Sequence, residues 1–294
     1  MSVFVLKIIA VVLMVIDHIS YILSFSTPDN IVLYLMRLAG RVSFPIFCFL
    51  IVNGLEKTRD RQGYVARLGL FALISQIPFS TAFSYYNYQP AVYRGLETAL
   101  KINPETLRLL PLMLTAALIY FFVFRRKKAD RNFFYILAAL LLPLFGLKIR
   151  GYTLLNLDLN VFYTLAVSLA IICVLDELIF RRKERGALWL GLAIAAVAAA
   201  SFYILPFSDY SYRGPLLIVL LYLAKDKRWL QAFEVIIWGQ IVYGPFPEFT
   251  FVMAISALLI FKYNGKKGPA FKLGFYLIYP VHLLLLFLLL NWLI

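Results

Sequence analysis

Apolar runs of helix length follow one another along almost the whole chain, separated by short polar turns. Crossing a bilayer's hydrocarbon takes about 20 mostly apolar residues in an α-helix. Eleven such runs can be drawn: about 3–24, 31–55, 64–84, 106–124, 132–148, 159–180, 187–206, 213–225, 229–244, 248–262 and 272–293. The later ones are short, so 213–244 reads as either half-helices or one hairpin. Of the 294 residues 63% are hydrophobic, well above the share usual in soluble domains. Inside lipid every backbone polar group needs an internal partner, which leaves helices or closed barrels. The runs lack the period-two alternation of barrel strands. The expectation is an all-α, polytopic transmembrane bundle of about 10–11 spans, forming one integral-membrane domain over residues 1–294.

Charge orients this bundle. The 29 lysines and arginines gather mainly at 57–67, 125–131, 181–185, 225–228 and 262–272, after every second run. Positive residues stay in the cytoplasm, so the amino terminus is expected inside and the carboxyl terminus outside. The net charge of +14 is thus topogenic and does not point to nucleic acid. The expected location is a bacterial inner membrane, crossed many times. Cys48 and Cys173 lie within apolar runs and read as small hydrophobes. The first run has no basic leader and carries Asp17-His18 where a cleavable signal stays apolar.

Both histidines sit inside apolar runs. His18 lies in the first and His282 in the last. Ionisable groups at membrane depth are costly and usually face a protein interior or polar cavity, so each is a functional candidate. The second run adds Arg37 and Arg41, four residues apart and so on one helical face. Adjacent Asp17 and His18 diverge by about 100° on a helix, so one is expected to face an arginine and the other a cavity. Lys7 precedes His18 by eleven residues, close to three turns, and shares its face with a rise of about 16 Å. A donor with a phosphorylated head and a long thin arm could anchor at Lys7 and reach His18. Snorkelling is the plainer reading of that lysine. Pro45, Pro78 and Pro280 interrupt their runs and free the carbonyls of Arg41, Ile74 and Tyr276. Asn156, Asp158, Asn160, Asp209 and Arg213 fall near the outer ends of later runs, at depths like that of His18. Metal binding has little support: no H-x-x-x-H or paired Cys/His spacing occurs.

The chain resembles the TraX family, named for a conjugal-transfer protein associated with acetylation of the pilin amino terminus. The resemblance runs through Leu6-Lys7-Ile8-Ile9-Ala10, Asp17-His18-Ile19 and Arg37-Leu38-Ala39-Gly40-Arg41-Val42-Ser43-Phe44-Pro45. It continues at Ser75-Gln76-Ile77-Pro78, Asn160-Val161-Phe162-Tyr163-Thr164, Ser208-Asp209-Tyr210 and Tyr279-Pro280-Val281-His282. Two departures stand out: Ser211 occupies the place of a glycine after Asp-Tyr, and the 85–105 loop is individual. The resemblance implies a transferase using cytoplasmic acetyl-CoA, and a distant likeness to integral-membrane acyltransferases.

The expected chemistry is acetyl transfer to an amine or hydroxyl of a pilin-like protein, glycan or lipid. His18 is the base or transient acyl carrier, and His282 the second base or the acid for the leaving thiolate. Asp17 sets the local field. Arg37 and Arg41, with Lys7, hold the donor or its oxyanion. Asn160, Asp209 and Tyr210 are the candidates for holding the acceptor. The rival reading is a proton-coupled transporter or flippase, since intramembrane Asp, His and Arg also make proton relays.

Overall fold

A computed structural model describes residues 1–24, 27–87, 99–102, 145–149, 152–155, 159–176, 210–269 and 271–293. The expected spans 106–124 and 187–206, and residues 132–144 of a third, lie outside these. The architecture is a helical membrane bundle. Three stretches are long and apolar enough to cross a membrane, Val3–Leu23, Ile31–Lys57 and Arg61–Phe83, and shorter apolar helices follow. The chain divides into two compact units, Met1–Glu56 with Leu217–Ile294, and Lys57–Leu216.

In the first unit, α1 (Val3–Leu23) buries Leu6, Ala10, Met14, His18 and Ile22, a stripe stepping by four residues. That spacing keeps one helical face inward, so the periodicity of the apolar residues itself carries His18 into the interior. The opening turn leaves backbone N–H groups without helical acceptors. Val3 and Phe4 donate theirs to the carbonyls of Lys266 (2.9 Å) and Lys267 (3.1 Å) in the basic loop before the last helix. Gly268 makes this possible: its φ is +73°, and a Cβ there would come within 2.8 Å of Phe4 Cβ.

The second run is broken. Helix α2 (Ile31–Gly40) stops, and α3 (Ser43–Lys57) restarts two residues later. Glycine favours helix ends and proline fits a first helical turn, so Gly40 and Pro45 mark an end and a start. The break is bridged by Ser43 Oγ–H donating to the Gly40 carbonyl (2.8 Å). Ser256 Oγ–H, from a later helix, donates to Val42 O (3.3 Å). Helix α2 exposes Ile31, Val32, Tyr34 and Leu35, whereas α3 is buried on most sides.

After the first unit's return at Leu217 come the rest of α6 (Arg213–Leu223), α7 (Arg228–Tyr243), α8 (Pro247–Phe261) and α9 (Lys272–Leu293). Eleven residues of α6 rise only about 16 Å, short of the roughly 30 Å hydrocarbon core. Of the two readings of 213–244, separate short helices is therefore the observed one. Helices α7 and α8 form a close hairpin. A Cβ on Gly239 would lie 2.2 Å from Met253 Cγ, and Gln240 Nε2 donates to Thr250 Oγ1 at 2.7 Å. Pro280 sits inside α9, which continues through it.

In the second unit, α4 (Arg61–Asn87) and α5 (Val161–Leu175) pack antiparallel. Arg61 at the start of α4 pairs with buried Asp176 beyond the end of α5. The helical reading omitted a small element here. Ala99–Ile102 (β1), Phe145–Ile149 (β2) and Tyr152–Leu155 (β3) form an antiparallel sheet in the order β1-β2-β3. Ala99 is opposite Lys148, Ile102 opposite Phe145, and Ile149 opposite Tyr152. Strand β2 thus takes the final residues of the run expected to span at 132–148.

Candidate active site

The two histidines, 264 positions apart, meet inside the first unit. His18 Nδ1 and His282 Nε2 are 2.7 Å apart, and the rings stack nearly parallel, 9° between planes. Tyr279 meets both edge-on, with centroids 6.1 Å from His18 and 5.5 Å from His282. Each imidazole is more than nine-tenths buried.

Hydrogen-bond logic assigns the protons. His282 Nδ1 lies 2.8 Å from the Ile278 carbonyl oxygen, which can only accept. Nδ1 of a neutral His282 therefore carries the hydrogen, and Nε2 presents a lone pair. His18 must then donate its Nδ1–H to that lone pair, so its own lone pair is on Nε2. The relay runs His18 Nδ1–H to His282 Nε2, then His282 Nδ1–H to Ile278 O. Pro280 has no N–H to offer the Tyr276 carbonyl, which loosens the ladder where His282 turns back on its own helix.

Asp17 points elsewhere, as helical divergence requires. Its Oδ2 accepts from Arg37 NH1 at 2.7 Å, and that guanidinium also lies 4.6 Å from the Tyr21 ring centre. Arg41 takes a different partner, with its guanidinium 5.9 Å from the Tyr243 ring. Helix α2 ends between the two arginines, and Arg41 is its C-cap, with the backbone still in the right-handed helical region. Gly40 lets α1 and α2 approach. A Cβ there would sit 2.3 Å from Asp17 Cβ and 2.6 Å from Oδ1, in a buried setting that cannot yield. Gly40→Ala is therefore expected to force the helices apart and destabilise by about 1–3 kcal/mol. A thermal melt of the detergent-solubilised protein checks this, and an unchanged midpoint would contradict the close approach.

Lys7 lies toward α9, with Nζ 4.9 Å from the centre of the Phe275 ring, which also contacts Phe4 edge-on. Phe275 precedes His282 by seven residues and Lys7 precedes His18 by eleven, so α1 and α9 run parallel from one basic end. Lys7 and His18 therefore both face α9, to which each makes a contact.

Asn160 has a different task, in the second unit. Its Nδ2 donates to Ala72 O and Gln76 Oε1, both at 2.8 Å, while Oδ1 accepts from Phe162 N at 3.0 Å. It caps α5 and ties it to α4, fully buried. Those bonds use both amide hydrogens and one lone pair of the oxygen, which gives Asn160 a structural task in the described residues. Asn160→Ala should cost about 2 kcal/mol through the lost cap and the lost side-chain ties to α4, read as a lower melting midpoint; Gln76 keeps the Asn160 backbone N–H. Tyr210 opens the turn into α6, its carbonyl accepting from Arg213 N (3.0 Å) and Gly214 N (3.2 Å). Asp209, Asn156 and Asp158 lie outside the described residues.

Ser211 has φ +44°, and no other non-glycine among the described residues has a positive φ. This is the position where the resemblance leads to the expectation of glycine. A left-handed backbone costs a β-carbon-bearing residue about 1 kcal/mol. Ser211→Gly should therefore raise the melting midpoint slightly, and a fall would contradict the turn geometry.

The residues that sequence reasoning missed are Gly40, Tyr21 and Tyr279, together with the Ile278 carbonyl. Gly40 carried a signal, as the small residue between two arginines. The backbone acceptor carried none.

Fold and site together define a helical membrane protein with a buried histidine pair at the meeting of its first and last helices. The chain belongs to the TraX protein family, whose model matches residues 2–152 and 144–290. A probable fimbrial assembly protein FimC, serogroup H1, from Dichelobacter nodosus is 32% identical over 117 residues. That alignment covers 40% of this chain and 47% of that protein, so the chain spans about half the length of the curated relative it matches. No solved structure matches.

Proposed function

We propose that the protein is a multi-pass inner-membrane acetyltransferase that takes acetyl from cytoplasmic acetyl-CoA. The acceptor is an amine or hydroxyl, and a pilin-like protein amine is favoured by the similarity to a fimbrial assembly protein. One observation carries the reading: the buried relay from His18 through His282 to the Ile278 carbonyl. A histidine held by its Nδ1–H, with its lone pair directed to Nε2, is the arrangement of an oriented general base.

In the step proposed, His18 Nε2 accepts a proton from the acceptor as its nitrogen or oxygen bonds to the thioester carbonyl carbon. The carbon–sulfur bond then breaks, and His18 returns the proton to the leaving thiolate. Acetylated acceptor and free coenzyme A result, and no proton is gained or lost. His282 touches neither substrate in this scheme. It is a positioning residue that fixes the His18 tautomer and shares the positive charge while His18 is protonated. Arg37, held by Asp17, and Arg41, against Tyr243, supply permanent positive charge at the same end of α2 for the developing oxyanion.

The test is purified protein in nanodiscs with labelled acetyl-CoA and an amine-terminated pilin peptide. The expected result is peptide heavier by one acetyl group and release of coenzyme A. Absence of both, with gradient-driven uptake of a polar solute instead, would sink the enzyme in favour of a transporter.

A further inference from the structure

Arg228 is the first residue of α7, at the basic end of the first unit. Its guanidinium is held between two aromatic rings, 5.0 Å from the centre of Phe49 and 4.6 Å from that of Tyr263. Those rings lock each other edge-to-face at 5.5 Å, and Asn53 Nδ2 donates to the Tyr263 hydroxyl at 3.2 Å. Burial there lowers the arginine's pKa from its usual value, while Tyr263 and Glu56 act to raise it. Arginine stays charged over the physiological range all the same. Among the described residues, Arg228 donates to no hydrogen bond and joins no ion pair. A guanidinium oriented by two rings, with its fork of donors unfilled, is prepared for a phosphoryl group. Lys225, 3.9 Å from Glu56, and exposed Lys227 add positive charge beside it.

An independent observation lies one turn deeper. Gln231 is 2% exposed; its Nε2 donates to Leu221 O at 2.8 Å, and its Oε1 is buried with no hydrogen-bond partner among the described residues. One further turn on, Glu234 Oε2 is buried in the same condition. From Arg228 to Glu234 the helix rises about 9 Å. Two acceptor oxygens below a vacant guanidinium ask for a ligand with an anionic head and N–H donors along a thin stem. Unmet acceptors at membrane depth are costly, and a ligand's amide N–H groups would relieve that cost.

We infer that the first two turns of α7 bind the donor along a path winding about 120° around the helix, with Arg228 on its phosphates and Gln231 and Glu234 on the amide N–H groups of its pantetheine arm. This rests on the acetyl-CoA reading above and moves the phosphate anchor from Lys7 to α7. The placement suits delivery to His18. Tyr263 lies three residues before Lys266, whose carbonyl binds the first turn of α1. His18 stands roughly 22 Å along that helix from Val3.

The experiment measures binding of coenzyme A, adenosine 3′,5′-bisphosphate and pantetheine to the full-length protein in phosphatidylcholine nanodiscs, with and without phosphatidylglycerol. Arg228→Gln should weaken coenzyme A and the bisphosphate by about tenfold or more and leave pantetheine unchanged. Gln231→Leu, apolar and of similar size, should weaken coenzyme A and pantetheine but not the bisphosphate. Lys7→Gln should change coenzyme A affinity less than Arg228→Gln does. Coenzyme A binding unmoved by both α7 substitutions overturns this site alone, whereas a wild-type protein that binds no coenzyme A removes the donor reading with it. Arg228-dependent binding of phosphatidylglycerol that coenzyme A cannot displace also overturns it, and assigns the guanidinium to lipid headgroups.

Discussion

Replacing His18 with alanine should cut acetyl transfer by about 10²–10⁴-fold, the range that a positioned general base supplies. The variant should fold, because the alanine removes a buried polar group and leaves His282 bound to the Ile278 carbonyl. His282 substitutions separate orientation from chemistry. His282→Leu removes the acceptor for the His18 Nδ1–H, so the imidazole is free to place its hydrogen on Nε2, where it cannot act as a base. A loss of roughly 10²-fold or more in kcat is expected, with little change in KM for the donor. His282→Gln keeps an oxygen acceptor and should recover part of that loss. If His282→Leu matched wild type in single-turnover assays of the purified enzyme, the relay would have no catalytic part. If His18→Ala did so, the whole acyl-transfer scheme would fall.

The second large effect belongs to the Asp17–Arg37 pair. Arg37→Leu strands a carboxylate that is 13% exposed and has one oxygen, Oδ1, already without a hydrogen-bond partner among the described residues. Removing one member of a buried ion pair costs about 3–5 kcal/mol, and the partial exposure of Arg37, 26%, argues for the lower end. The melting midpoint of Arg37→Leu should therefore fall well below that of Asp17→Asn/Arg37→Leu, in which no charge is left uncompensated. A double-mutant cycle gives the coupling directly. A coupling near zero would mean the pair is held apart by solvent and that α1 and α2 are joined by packing alone.

Several particulars were legible before any fold was known. The four-residue stepping of Leu6, Ala10, Met14 and His18 states that the histidine faces inward, and helical divergence states that Asp17 cannot follow it. Ser211 was legible as a residue in a glycine's place, whereas its left-handed backbone was not. The apolar run at 31–55 was legible as a span. Its interruption was signalled by Pro45, but the complete break was not legible, because it shows as local capping at Gly40 and Ser43 and leaves average hydropathy unchanged. Asn160 was read as an acceptor ligand because a polar residue near a helix end looks alike whether it caps that helix or binds a substrate.

Local sequence, acting over one or two turns, determined that this chain is helical and belongs in a membrane, and which of its polar residues turn inward. Periodicity and apolarity are short-range properties, and hydrocarbon enforces them strictly. Only the tertiary structure decided that His18 meets His282, that Asp17 takes Arg37, and that Arg228 stands clamped with its donors open. Those pairings join residues on different helices, the histidines from opposite ends of the chain, and they depend on how whole helices seat against one another.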